Sequence, residues 1–209
     1  MKLAFATAAL LLIAPAVSAQ QTPPAGAPQR SVSKDPANAP SGTYQLDPRH
    51  TSVIARVGHA GGISFSTFRF GTTSGSLNWN NADPAASQVT VTVDMSSIQT
   101  PVANFASELV GDRFLKTGQF PDAKFVSTGI RRTGPTSGVI SGTLTFMGQT
   151  KPVTIDAMMV GNGMGRGGPV IGFSGTMRFK RSDFGFTALL GVASDEIEMV
   201  LDAEFDKTA

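Results

Sequence analysis

From Thr43 onward apolar side chains recur at every second position, which is the period of a half-buried β-strand and not of a helix. The last segment is plainest: Ile197, Met199, Leu201, Ala203 and Phe205 alternate with Glu196, Glu198, Val200, Asp202, Glu204 and Asp206. One face is greasy and the other acidic, so the acids read as a solvated outer stripe. In Val170–Lys180, Ile171, Phe173, Gly175, Met177 and Phe179 share a face opposite Arg178 and Lys180. Val89, Val91 and Val93 alternate with Thr90, Thr92 and Asp94, and Val139–Phe146 and Val153–Val160 flank a turn at Gly148-Gln149. Thr43–Val57, Ser64–Trp79 and Lys124–Ile130 complete about eight strands, with one helical stretch expected over Val102–Leu109. Long helical patterns between strands are missing, which argues against a parallel α/β sheet. The fold expected is all-β: an eight-stranded antiparallel sheet closed into a barrel, which removes its edges, with a short helix in a connecting loop.

An eight-stranded barrel either fills with its own side chains or holds one small ligand. Alternation places Val53, Ala55, Val57, Phe125, Leu144, Phe146, Ile155, Phe173, Gly175, Met177, Phe179, Ile197, Met199 and Leu201 on the inward face. Small residues on those stripes, Ala55, Ala157, Gly175 and Ala203, leave space inside or fit the taper of a filled barrel, and the residues alone do not choose between these. Of 14 Phe, 13 fall from Phe65 onward, but such hydrocarbon suits a cavity and a packed core equally. If the interior is open, Gly175→Phe is expected to fit at modest cost while taking the ligand's space.

Thr43 to Ala209 holds 14 Lys/Arg and 14 Asp/Glu, a neutral balance with no electrostatic footprint for nucleic acid or anionic membrane. With no Cys and only His50 and His59, there is little material for a thiolate, a catalytic triad or a zinc site. The weak metal candidate is Asp47 with His50 and His59; no metal and no cofactor is expected. Gly163–Gly168 fits G-x-G-x-x-G, but a strand follows it where a helix is needed, so the run Gly161–Gly168 reads as a mobile hairpin loop. Gly172-Phe173-Ser174-Gly175 lacks the spacing of a serine nucleophile elbow. No catalytic residue emerges.

The chain opens with Met1-Lys2, an apolar run Leu3–Ala14 and small residues Val17-Ser18-Ala19, the pattern of a secretory signal. Pro15 interrupts the run too early for a transmembrane segment, and no later stretch is long and apolar enough to be one. Three segments are expected: a signal peptide over 1–19, a disordered Pro/Ala-rich leader over 20–42, and one barrel domain over 43–209.

Four motifs resemble the YceI-like family. Tyr44-Gln45-Leu46-Asp47-Pro48-Arg49-His50-Thr51, followed by His59-Ala60-Gly61, is similar to its opening pattern. Phe120-Pro121-Asp122-Ala123-Lys124-Phe125-Val126-Ser127-Thr128, the run Gly142–Val153 around Gly148-Gln149-Thr150-Lys151-Pro152, and Arg181-Ser182-Asp183-Phe184-Gly185 succeed it in the family's order. Two departures stand out: Ser107-Glu108-Leu109 replaces the usual Asp-x-His-Leu, and Thr51 the usual Ser. The resemblance implies an extended lipocalin-like barrel in a periplasmic or secreted protein that takes up polyisoprenoid or other long-chain amphiphiles, with no catalytic residues. The expected partner is therefore a long-chain lipid or isoprenoid ligand on the inward residues named above. A homodimer is left open. Two rival readings remain: an enzyme acting on a lipid inside the barrel, and a filled barrel working through its surface.

Export is directly testable. The mature chain is expected to begin at Gln20 and to lie outside the cytoplasm. N-terminal sequencing of folded protein from its host checks this, and intact Met1–Ala19 on that protein contradicts it.

Overall fold

The computed structural model describes residues 31–208. The expected signal peptide and the first part of the expected leader lie outside these residues. In chain order the strands are β1 (Val32–Ser33), β2 (Gly42–His59), β3 (Ser64–Phe70), β4 (Thr73–Trp79), β5 (Gln88–Asp94), β6 (Ile98–Gln99), β7 (Asp122–Arg132), β8 (Ser137–Phe146), β9 (Gln149–Met164), β10 (Pro169–Lys180) and β11 (Ala193–Lys207). A single α-helix among the described residues, α1 (Phe105–Leu109), sits in the long connection from β6 to β7. Neighbouring strands pair in the order β11-β10-β9-β8-β7-β5-β4-β2, and β2 returns to β11, closing an eight-stranded antiparallel barrel. The architecture is the one that alternation implied.

Closure depends on β2, which pairs with β11 along one edge and with two strands along the other. Gly42–Gln45 pair with β4, whereas Val53–His59 pair with β3. The change of neighbour falls at a bulge. Ser52 opposes Asp202 and Asp47 opposes Glu204, so Pro48–Thr51 answer the single residue Ala203. A bulge of this kind bends the strand and sharpens its twist. Asp47 holds the bend. Its carboxylate accepts from the Arg49 backbone N–H (2.9 Å), from Arg49 Nε (3.1 Å) and from Arg49 Nη2 (3.0 Å), with His50 Nδ1 at 2.8 Å. Thr51 Oγ1 donates to the Asp47 carbonyl at 2.8 Å.

The structure departs from expectation in three places. Ser64–Trp79 is two strands, β3 and β4, because Gly71 and Thr72 turn the chain between them. The helix is shorter than Val102–Leu109: Asn104 adopts a left-handed conformation (φ 63°), which delays helix entry to Phe105. Residues 31–42, expected to belong to a disordered leader, are structured. β1 pairs with the end of β9, a 3-10 turn comes next over Pro36–Asn38, and Ala39 is buried. The barrel supplies donors to this segment's carbonyls: Asn162 Nδ2 to Asp35 (2.9 Å), Trp79 Nε1 to Ala39 (3.2 Å) and Tyr44 Oη to Pro40 (2.6 Å). The segment plugs one end of the barrel over Tyr44, Leu77, Trp79, Ile171 and Phe205.

Hydrogen bonds from Arg49 hold the buried Asp47 carboxyl well below the usual carboxylate range; burial opposes the shift and His50 assists it. A depressed carboxylate contributes stability above its unfolded value of ~3.9, and that contribution is lost as pH falls toward its folded value. Asp47→Asn is expected to cost about 1–3 kcal/mol at neutral pH. The gap between wild type and variant should shrink steadily as the pH drops below ~4. Urea unfolding at several pH values checks this; a gap that does not change with pH contradicts it.

Candidate functional site

Inside the barrel lies a cavity of about 620 Å³. It falls within the range of small-molecule sites, about 300–1,000 Å³. The fourteen residues expected to face inward, from Val53 to Leu201, all stand on its wall. Sequence reasoning missed others on the same wall: Phe68 and Phe70 from β3, Val89, Val91 and Val93 from β5, and Phe105, Leu109, Phe114 and Leu115 from the α1 connection. The β3 and β5 residues sit on visible alternations. Those near α1 sit on none, because the connection folds back over the barrel rather than continuing the sheet.

Aromatic clusters bound the cavity at both ends. Toward the plugged end, Phe173 sits 6.0 Å from Trp79 and 6.3 Å from Phe205 between ring centroids. Toward the other end, Phe146 contacts Phe179, Phe184 and Phe186 at 6.2, 5.7 and 6.3 Å, and Phe179 meets Phe184 at 5.2 Å. These offset and edge-on contacts fix ring orientations and so the shape of the space between them.

One cation sits deep beside this second cluster. Arg181 opens the 3-10 turn Arg181–Phe184 and is almost wholly buried. Its guanidinium faces backbone, donating from Nε to Ser194 (2.8 Å), from Nη1 to Phe186 (3.2 Å) and Ala188, and from Nη2 to Ala193 (3.2 Å). Five donors in a rigid fork suit this cradle of carbonyls. Arg181 thus pins the connection from β10 to β11. Burial pushes its guanidinium down from its ordinary value, and Asp195 opposes that shift. Asp195 itself is held below the usual carboxylate range by hydrogen bonds from the Ser182 hydroxyl and backbone N–H.

The metal candidate is only half assembled. Asp47 and His50 meet and Glu204 joins them, but His59 pairs with Ala193 elsewhere on β11. Both Asp47 oxygens already accept from the Arg49 guanidinium. Among the described residues, no wall serine or threonine side chain hydrogen-bonds a histidine ring or a carboxylate, so no nucleophile–base pair is formed. The expected loop Gly161–Gly168 is shorter in the structure: residues 161–164 belong to β9 and pair with β10, and the turn closes with the Gly165 N–H donating to the Gly168 carbonyl at 2.7 Å.

Gly175 corrects one expectation. A Cβ placed there would lie 2.9 Å from Ile155 Cγ2 and 3.1 Å from the Asp156 carbonyl oxygen. Alternation gives the face correctly, but β9 and β10 approach too closely for any side chain. Gly175→Phe therefore overpacks the wall instead of filling the cavity.

Three comparisons place the chain among known proteins. Residues 44–205 match the model of the YceI-like domain. A UPF0312 protein of Shewanella sp. (strain W3-18-1) is 38% identical over 172 residues, covering 81% of this chain and 90% of that protein. Among solved structures, the Campylobacter jejuni YceI protein superposes with a TM-score of 0.64 at 28% identity, covering 70% of this chain and 88% of that one. A polyisoprenoid binding domain from Saccharophagus degradans superposes with a TM-score of 0.59 at 14% identity, covering 79% of this chain and 98% of that one.

The wall makes a paired prediction. Gly175→Ala is expected to destabilise the fold by about 1–3 kcal/mol. Ala55→Phe, whose ring enters the open space, is expected to shift melting by no more than ~5 °C. It should also weaken binding of a twenty-carbon prenol at least about tenfold. Thermal melts and fluorescence titration check both; unchanged binding in Ala55→Phe contradicts the cavity as the site.

Proposed function

The chain belongs to the YceI-like family, and on that premise we propose that it is an exported carrier holding one long-chain amphiphile, polyisoprenoid, quinone or fatty-acid-like, in its barrel. It performs no chemistry on that ligand. The observation that carries this reading is the cavity of about 620 Å³ walled almost entirely by hydrocarbon. Burying a ligand methylene is worth ~0.8 kcal/mol, so a chain of about ten carbons supplies ~8 kcal/mol, the scale of micromolar binding, before the costs of association. No charged anchor is needed. The polyisoprenoid binding domain of Saccharophagus degradans supports a hydrocarbon ligand by likeness of fold. Export to the periplasm or the medium rests on the Met1–Ala19 pattern, with cleavage at Ala19/Gln20.

Native mass spectrometry of protein purified from its own host tests the reading. The expected result is an added mass of one hydrocarbon-rich lipid per barrel, released by organic solvent. Protein that emerges bare and takes up neither geranylgeraniol nor a long-chain fatty acid overturns it.

A further inference from the structure

The two ends of the barrel differ in chemistry. The connections at the plugged end carry Asp83, Arg131, Arg132 and Arg166, and the plug adds Lys34 and Asp35. At the other end three neighbouring stretches, residues 58–68, 100–107 and 184–194, hold one ionisable side chain between them, His59, while Glu108, Arg113, Asp183 and Asp195 flank them. They adjoin in space. The Ala60 N–H donates to the Val192 carbonyl at 2.8 Å, and the Phe68 and Phe105 rings lie 6.4 Å apart.

Large apolar side chains stand out from this sector into solvent: Ile63 is 87% exposed, Phe65 55%, Val102 58%, Leu189 40%, Leu190 44% and Val192 53%. Scattered exposed apolar residues are ordinary, but a contiguous group marks a contact surface. Val102, Leu189 and Val192 also line the cavity. The same side chains therefore form the outer rim and the inner wall, and a hydrocarbon chain crossing them meets no charge.

We propose that this rim docks on the surface of a lipid bilayer, where ligand passes directly between the acyl region and the cavity; this rests on the carrier reading above. Two features favour a bilayer over a protein partner. A protein interface is ringed by polar and charged groups that pair across it; the polar groups of these stretches are neutral Ser, Thr and Asn side chains and His59, with no acid, lysine or arginine among them. Backbone entering an apolar phase must also satisfy its own polar groups. Here the tips do so in part: the N–H groups of Ala60, Ile63, Leu190, Val192 and Ala193 donate to carbonyls within the sector. Arg56 lies over the Phe65 ring at 4.4 Å from its centroid, an apolar body with a charged head beside it, as suits the headgroup layer.

The test uses Ile63→Asp with Leu190→Asp, neither residue being part of the cavity wall. Protein in the form its host makes is floated with vesicles of neutral phosphatidylcholine. Binding of the wild type is expected across a wide range of ionic strength, and the double variant should lose it at least about tenfold. Its melting temperature and its uptake of geranylgeraniol from a cyclodextrin complex should not change, while uptake from vesicles slows. Equal vesicle binding by both proteins overturns the proposal. So does binding abolished by salt, which would assign it to charged groups and not to the apolar rim. A dimer in solution that the variant dissociates, without vesicle binding by the wild type, makes the rim a contact between copies and overturns it as well. If neither protein takes up geranylgeraniol from cyclodextrin, the carrier reading fails, whereas vesicle binding lost with the rim still upholds docking.

Discussion

One buried carboxylate lets a single strand serve three neighbours. A sheet closes into a barrel only if its first strand meets its last, and here β2 must do that while also pairing with β4 at its start and β3 at its end. A straight strand cannot keep both partnerships. The Pro48–Thr51 bulge supplies the bend, and Asp47 gathers the bulge's donors into one knot with Arg49 and His50. In this chain the opening motif therefore shapes the corner of the barrel, with Asp47 and His50 at its centre.

Closure creates the interior space. Eight strands give a lumen that side chains can just fill, and here they leave it open. Large aromatics gather at the two ends, around Phe173 and around Phe146, while the small Ala55 and Ala157 stand on the wall between them. Packing at the ends holds the wall apart, much as end plates hold a tube. The buried cation at one end is spent on backbone carbonyls, so the interior stays hydrocarbon even with an arginine close by.

Much of this was legible in alternation, and the failures are instructive. Period two reports which face a residue takes, so every inward residue named from sequence reached the cavity wall. It does not report how close the next strand lies, and Gly175 was misjudged for that reason. It also cannot see a contribution made by backbone. The plug over residues 31–42 has little apolar surface of its own; it is held by carbonyls of Asp35, Ala39 and Pro40 that accept from Asn162, Trp79 and Tyr44. Composition made that segment look incapable of order, because the side chains that order it belong to the barrel. The exposed rim was hidden in a similar way, since Ile63, Val102 and Leu190 come from separate stretches that only the topology unites.

The four-carbonyl grip of Arg181 bears on how such a barrel discriminates. The connection it fixes borders the way in, and loosening it would strand a guanidinium and several carbonyls together. An aperture held that firmly has a set width. In a carrier of the kind proposed, such an entrance would read the cross-section of a guest before its length.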